Sequence, residues 1–336
     1  MSNNVKKIDR LIELKEKNVV LFKPIERTSP PNQLKRILSL AEKPEPIPTA
    51  VVHPTDEVSL EGSVDAAKAG LIVPVLVGPE HKIRAAAERI NLDLTPYTIV
   101  NTRHSHESAK KAVELVREGL VSAIMKGYIH TDELMHEVVS KENGITTERR
   151  ISHVFVMDLE TYEKPLFVTD AAINISPTLM DKRDIVQNAI DLAHIMHVEK
   201  PKVALLSAVE TVTPRLQSTI DAAALCKMAD RKQIVGGILD GPLAFDNAIS
   251  KKAAEIKGIE SEVAGDTDIL VAPDLEAGNI LAKQLHYLAN AQSAGIVLGA
   301  RVPIILTSRA DDSISRRTSC AIALLIAQKQ CCGIVV

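Results

Sequence analysis

The sequence predicts an α/β protein built on a largely parallel sheet, and three observations carry that prediction. From Thr49 almost to the C-terminus, short apolar runs alternate with amphipathic helical patterns. Several runs, such as LIVPVLV at 71–77, are apolar without interruption, as parallel strands buried on both faces are. The stretch AGDTDILVAPDLEAGN at 264–279 reads as a strand, a turn at Pro273 and Asp274, and a helix through Leu281 and Leu285. In such sheets ligands bind beyond the carboxyl ends of the strands, next to helix N-termini. Asp274, Glu276, Gly278 and Asn279 therefore face either a crevice or, as the plainer alternative, an ordinary strand-to-helix turn with an Asp cap.

With 336 residues the chain is long enough for two domains. Trp is absent and aromatics total 2%, so the core has to be made of Ala, Ile, Leu and Val. A formal charge of −3 with scattered Lys and Arg leaves no basic footprint, which argues against nucleic acid as a partner. Cys226, Cys320, Cys331 and Cys332 have no zinc-type spacing and read as reduced thiols of a cytoplasmic protein. No signal-peptide pattern follows Lys6, Lys7 and Arg10, and the late apolar stretch is broken by Arg301, so no membrane span is expected.

Residues 1–48 stand apart as an N-terminal helical extension. Ile8, Leu11, Ile12 and Leu14 suggest one short helix, Leu34 and Leu38 another, and KPEPIP marks the boundary. Strands are then expected at 49–52, 71–77, 123–125, 151–157, 166–169, 203–206, 234–239, 269–272, 294–298 and 303–306. Between them fall helical stripes such as Ala109, Val113, Val116 and Leu120, with Ser105 as cap, and Ile185, Ala189, Leu192 and Met196. Helices are also expected at 216–228, at 247–256 and at 315–327, and Gly144 is read as closing the helix that Thr131 opens.

The polar residues just past the strands are Lys126, Asp170, Asn174, Ser207, Asp240, Asp274, Asn279, Ser308, Arg309, Asp311 and Asp312. The group at 308–312 stands between an apolar strand and the last helix. Hydroxyl, guanidinium and helix N-terminus together suit a tetrahedral oxyanion such as phosphate. The competing reading is an Arg309–Asp pair at a plain turn. No G-x-G-x-x-G follows a strand and no P-loop is present, which disfavours a Rossmann dehydrogenase or a P-loop kinase. The ten histidines show no metal-ligand spacing, so no metal site is expected.

TDAAIN around Asp170 to Asn174, DGPLAFDNA, AGDTDILVAPDLEAGN and the Ser308-Arg309 pair resemble the phosphate acetyltransferase and phosphate butyryltransferase family. HPTDEVSLEG, MKGYIHTDEL and PIILTSRADD look most like its butyryl-type branch and like the transferase half of enoyl-CoA hydratase/phosphate acetyltransferase fusions. The resemblance implies a two-domain fold like isocitrate and isopropylmalate dehydrogenases, with mostly parallel sheets and an inter-domain cleft. One domain would comprise 49–147 plus 303–336 and the other 148–302. It further implies a homodimer or higher homo-oligomer, and reversible transfer of a short acyl group, acetyl to butyryl, between coenzyme A and inorganic phosphate. Coenzyme A is then a substrate, acyl phosphate a product, and no cofactor is needed.

Under that reading Arg309 clamps phosphate and Ser308 donates to the carbonyl oxygen. The acetyl branch carries its aspartate base seven residues after the serine, where this chain has Ser315. Asp311 or Asp312 would then be the base, Asp311 the nearer. Lys126, Asn174, Ser207, Asp274, Gly278, Asn279 and Asp312 are the expected substrate-binding residues. Two alternatives are a non-catalytic acyl-CoA-binding protein and an NAD-dependent decarboxylating dehydrogenase of the same fold.

Overall fold

The computed structural model describes residues 33–306 and 312–331. The expected helix near Ile8 and the site residues Ser308, Arg309 and Asp311 lie outside the described residues. The strands are β1 (Ile47–Val52), β2 (Ile72–Gly78), β3 (Thr98–Asn101), β4 (Ala123–Lys126), β5 (Ser152–Asp158), β6 (Leu166–Thr169), β7 (Lys202–Leu206), β8 (Ile238–Leu243), β9 (Ile269–Val271), β10 (Gln292–Leu298) and β11 (Ile304–Ile305). The helices are α1 (Gln33–Leu40), α2 (Glu57–Lys68), α3 (Glu80–Arg89), α4 (Ser105–Arg117), α5 (Thr131–Val138), α6 (Leu179–Ile195), α7 (Gln217–Asp230), α8 (Phe245–Ile249), α9 (Lys251–Ile256), α10 (Leu275–Leu288) and α11 (Ser313–Cys331).

All these strands join one sheet in the order β3-β2-β1-β4-β11-β10-β5-β6-β9-β7-β8. Both ends are parallel, β3 through β11 on one side and β6 through β8 on the other. Between them β10 and β5 pair antiparallel to each other and to both neighbours. Two reversals plus one make the two parallel halves run in opposite directions.

Register gives this arrangement its consequence. Met125 pairs with Ile305, Ile305 with Ile296, Ile296 with Val154, Val154 with Thr169 and Thr169 with Val271. The carboxyl ends of β4, β11, β6 and β9 thus stop within a residue of one line across the sheet, approaching it from opposite sides. Their loops gather over β10 and β5, which cross beneath.

Side chains alternate along each strand, so the sheet has two apolar faces. On one face a single core holds Val51, Met125, Val154, Phe167, Ile269 and Ile296 under α1, α6 and α11. On the other the core is split. One part, with Ile124, Val297 and Ile304, packs under α4 and α5, and the other, with Val168, Ala204 and Leu270, meets Ala282 of α10. The gap between these two parts lies over the middle of the sheet.

Several expectations shift in detail. Strand β3 is not foreseen in the sequence, because four residues with a half-exposed edge leave no long apolar run. The strand expected at 234–239 forms four residues later as β8. Gly236 and Gly237 are pressed against His194 and Ile190, where a Cβ would come within 2.4 and 2.9 Å, so this segment serves as a packing turn. The helix expected at 247–256 breaks at Ser250, whose extended backbone lets its hydroxyl cap α9 at Ala253. His104, not Ser105, caps α4, accepting from the Glu107 N–H at 3.3 Å. Gly144 follows α5 by several residues, in a turn where a Cβ would meet the Ser140 carbonyl at 2.4 Å.

Candidate active site at the meeting of strand ends

The gap forms an open cleft of about 1000 Å³. Lys126 and Leu306, at the ends of β4 and β11, line one side together with His130 and Thr131 where α5 begins. Ala172, after β6, and Leu275, Glu276, Asn279 and Ile280, in the first turns of α10, line the other. His153 and Phe155 of β5 flank Val154 of the shared row and form the floor. Two helices therefore start at the cleft, an arrangement that favours anions.

The α10 wall is fastened by short contacts. Asp274 accepts from the Ala277 N–H at 2.9 Å and is the N-cap. A Cβ at Gly278 would stand 2.3 Å from the Asp170 carbonyl oxygen, so only glycine lets the helix lie this close to the loop after β6. Asn279 Nδ2 donates to the Ala171 carbonyl at 3.0 Å. The loop is itself wound around Asp170, whose carboxylate accepts from the N–H groups of Ala172, Ile173 and Asn174 at 2.9–3.1 Å. Burial raises the Asp170 pKa, and those hydrogen bonds oppose the rise.

Across the cleft Glu133 gathers the start of α5. It accepts from Ser105 Oγ at 2.7 Å and from the His130 N–H at 3.4 Å, and His106 Nε2 lies 3.1 Å away. The Ser105 hydrogen bond is the main cause that lowers its pKa. A Cβ at Gly127 would lie 2.5 Å from the Val52 carbonyl, so the turn after Lys126 closes against the end of β1.

His153 is 1% exposed, and burial alone drives its pKa down to about 3. It is a neutral imidazole whose Nδ1 has no hydrogen-bond partner among the described residues. Its ring meets Phe155 edge-on, with centroids 4.3 Å apart. Room for the ring comes from Gly295 on β10, where a Cβ would stand 2.9 Å from His153 Nε2 and 3.0 Å from the Leu306 carbonyl.

The expected site residues divide by location. Lys126, Glu276 and Asn279 line the cleft. Asp274 and Gly278 build its wall. Asn174 is 2% exposed, and its amide is engaged by Ile151, Asp170 and Arg150, so it ties the loop together. Ser207 bonds Ser218 and borders a separate apolar groove of about 710 Å³ on the other side of α10. Asp312 caps α11 through the Ser315 N–H at 2.7 Å and takes a bond from Gln292. Ser315, seven residues after Ser308, is buried. His130, Thr131, His153 and Phe155 were not foreseen as cleft residues. His153 and Phe155 carry only a strand pattern in sequence, and their position on the cleft follows from pairing with β10 and β6.

Strand ends converging on a cleft where two helices begin make an anion-binding site of the kind α/β enzymes use. Residues 105–324 match the family described as phosphate acetyl/butaryl transferase, and the chain belongs to that family. A phosphate acetyltransferase of Rickettsia typhi is 63% identical over 86% of this chain and 83% of its own length. The crystal structure of a branched-chain phosphotransacylase from Enterococcus faecalis is similar at TM-score 0.73 and 28% identity, covering 84% of this chain and 99% of that one. A 4-hydroxythreonine-4-phosphate dehydrogenase from Klebsiella pneumoniae shares the fold at TM-score 0.51 and 15% identity, over 84% of this chain and 100% of its own. The dehydrogenase-like α/β architecture expected from the sequence is therefore present.

Proposed function

We propose that this cleft is where an acyl group passes reversibly between coenzyme A and inorganic phosphate. The observation that carries the reading is the convergence of β4, β11, β6 and β9 on one line, with Leu306 at the rim and Ser308 and Arg309 two and three residues after it in sequence. In the direction of thioester synthesis, the sulfur of coenzyme A attacks the carbonyl carbon of the acyl phosphate. The carbon–oxygen bond to phosphate then breaks, and phosphate leaves with the electron pair. The thiol proton passes to a base, because a thiolate is the competent nucleophile. Oxyanion and phosphate both need donors or cations.

Arg309 is assigned to the phosphate and Ser308 to the carbonyl oxygen, with Lys126 adding positive charge at the rim. Asp311 is favoured as the base, since Asp312 is occupied as the cap of α11. Asn279 and Glu276 would meet the substrate from α10. The chemistry as written requires no metal or prosthetic group, and coenzyme A is consumed or released as a substrate. We propose a division into 49–147 plus 303–336 and 148–302 for the face on which the core is split, while on the opposite face one core runs through both parts. Among the described residues no helix is long and apolar enough to cross a membrane, and we place the enzyme in the cytoplasm. Exposed Tyr287 and Leu288 at the end of α10 are apolar surface that a homodimer would cover.

Release of coenzyme A from acetyl-CoA, followed with a thiol reagent, tests the function. Release is expected only when phosphate is present; folded protein with no phosphate-dependent release would refute it. Arg309→Ala is expected to lower kcat/KM for phosphate by about a hundredfold or more. Turnover near wild type in that variant would remove Arg309 from the role.

A further inference from the structure

The floor of the cleft is unlike its rim. Lys126, Thr131 and Asn279 are polar, whereas the β5 surface beneath them presents the ring of Phe155. Phe155 is the one residue of β5 that is not fully buried, in a chain whose aromatic content is 2%. Part of its ring packs on the core that includes Met157 and Val168, and part borders the cleft. The ring has little freedom to swing aside. His153 stands edge-on against it at 4.3 Å, and His153 is itself seated over Gly295 with almost no exposed surface. Leu275, Ile280 and Leu306 supply apolar surface to the same cleft. An aromatic wall backed by a buried ring, under a polar rim, fits a substrate with an ionic head and a short hydrocarbon tail.

We propose that Phe155 forms the end wall of the acyl pocket and sets the longest acyl chain the enzyme accepts. This rests on the acyltransfer reading of the cleft. The reacting carbonyl lies at the rim, and the alkyl carbons extend down toward the Phe155 ring. Each additional methylene must then fit between that ring and the apolar residues facing it. His153 acts behind Phe155 as a rigid support.

The test is the ratio of kcat/KM values among acetyl-, butyryl- and hexanoyl-CoA, with phosphate as acceptor, for wild type, Phe155→Ala, Phe155→Leu and Phe155→Trp. A ratio between substrates cancels any loss of folded protein, so it reads the pocket alone. A single methylene in an apolar pocket is worth about 10- to 200-fold in discrimination. Phe155→Ala is expected to raise the hexanoyl-to-acetyl ratio at least tenfold, and Phe155→Leu to raise it by less. Phe155→Trp is expected to lower the butyryl-to-acetyl ratio. Should Phe155→Ala fail to fold, the opposite shifts expected of the Leu and Trp variants decide the matter. Ratios unchanged within twofold in folded variants that still turn over would overturn the assignment of Phe155 while leaving the acyltransferase intact. Wild type with no phosphate-dependent release would instead defeat the underlying reading, and this assignment with it.

Discussion

At the scale of single residues, His153 shows how burial turns a titratable group into a structural one. Its ring is neutral in the folded protein because burial strips it of solvent, and its pKa falls to about 3 from an ordinary 6.5. In the unfolded chain the same imidazole binds a proton below about pH 6.5. A depressed folded-state pKa means the unfolded state takes up protons first, so stability is complete above pH 6.5 and is lost as the pH falls toward 3. We expect the free energy of unfolding to drop by about 1.4 kcal/mol per pH unit well inside that window from this residue alone. His153→Leu should flatten that part of the profile. Denaturant titrations of both proteins between pH 6.5 and 4.5 measure the difference, and equal slopes would show that the ring is solvated after all.

At the scale of an element, α10 illustrates how one helix can carry a strong sequence signal for a plain reason. Asp274 is conspicuous after the ILVAP strand, but its carboxylate is committed to the first turn of the helix. Asp274→Ala is therefore expected to cost about 1 kcal/mol of stability. Asp274→Asn keeps an acceptor and should retain both stability and KM. Urea unfolding together with KM for acyl-CoA separates the two roles, since a binding residue would raise KM in the Asn variant as well. Gly278 and Asn279, four and five positions on, behave differently. The glycine permits the close approach to the Asp170 carbonyl, and the asparagine reaches the cleft while tied to Ala171.

At the scale of the whole molecule, the two parallel halves run in opposite directions across β10 and β5, and that reversal creates the cleft. A ligand that joins both walls binds only the folded form, so it must stabilise the protein. Coenzyme A at a hundredfold over its Kd should add about 2.7 kcal/mol, and a shift of a few degrees in Tm is expected. NAD at the same concentration should leave Tm unchanged, since no nucleotide loop of the dehydrogenase type is present in the sequence. A larger shift with NAD would favour dehydrogenase chemistry on the shared architecture.

Local chemistry made much of this legible in advance. Periodicity alone marks most strands and helices, because apolar spacing is imposed by which face is buried. Of the polar residues past the strand ends, Lys126, Glu276 and Asn279 line the cleft. Ser207 shares that pattern yet borders a different groove, because α10 stands between the two. Asn174 shares it too, but its amide is tied to Asp170 of its own loop and to Arg150 and Ile151 before β5. Periodicity cannot tell a strand end that opens on a cavity from one sealed by a neighbouring loop.

What the sequence determined by itself was the α/β class, the alternation of elements and the motifs placing the chain among the phosphate acyltransferases, since these depend on side chains close together along the chain. Only the tertiary structure decided that His153 and Phe155 form the floor of the cleft. Their partners are Val297 and Gly295 on β10, more than a hundred residues away, and neither residue carries a local mark of its role. Strand order and register set which residues meet across such distances, and those are settled by the packing of the whole sheet.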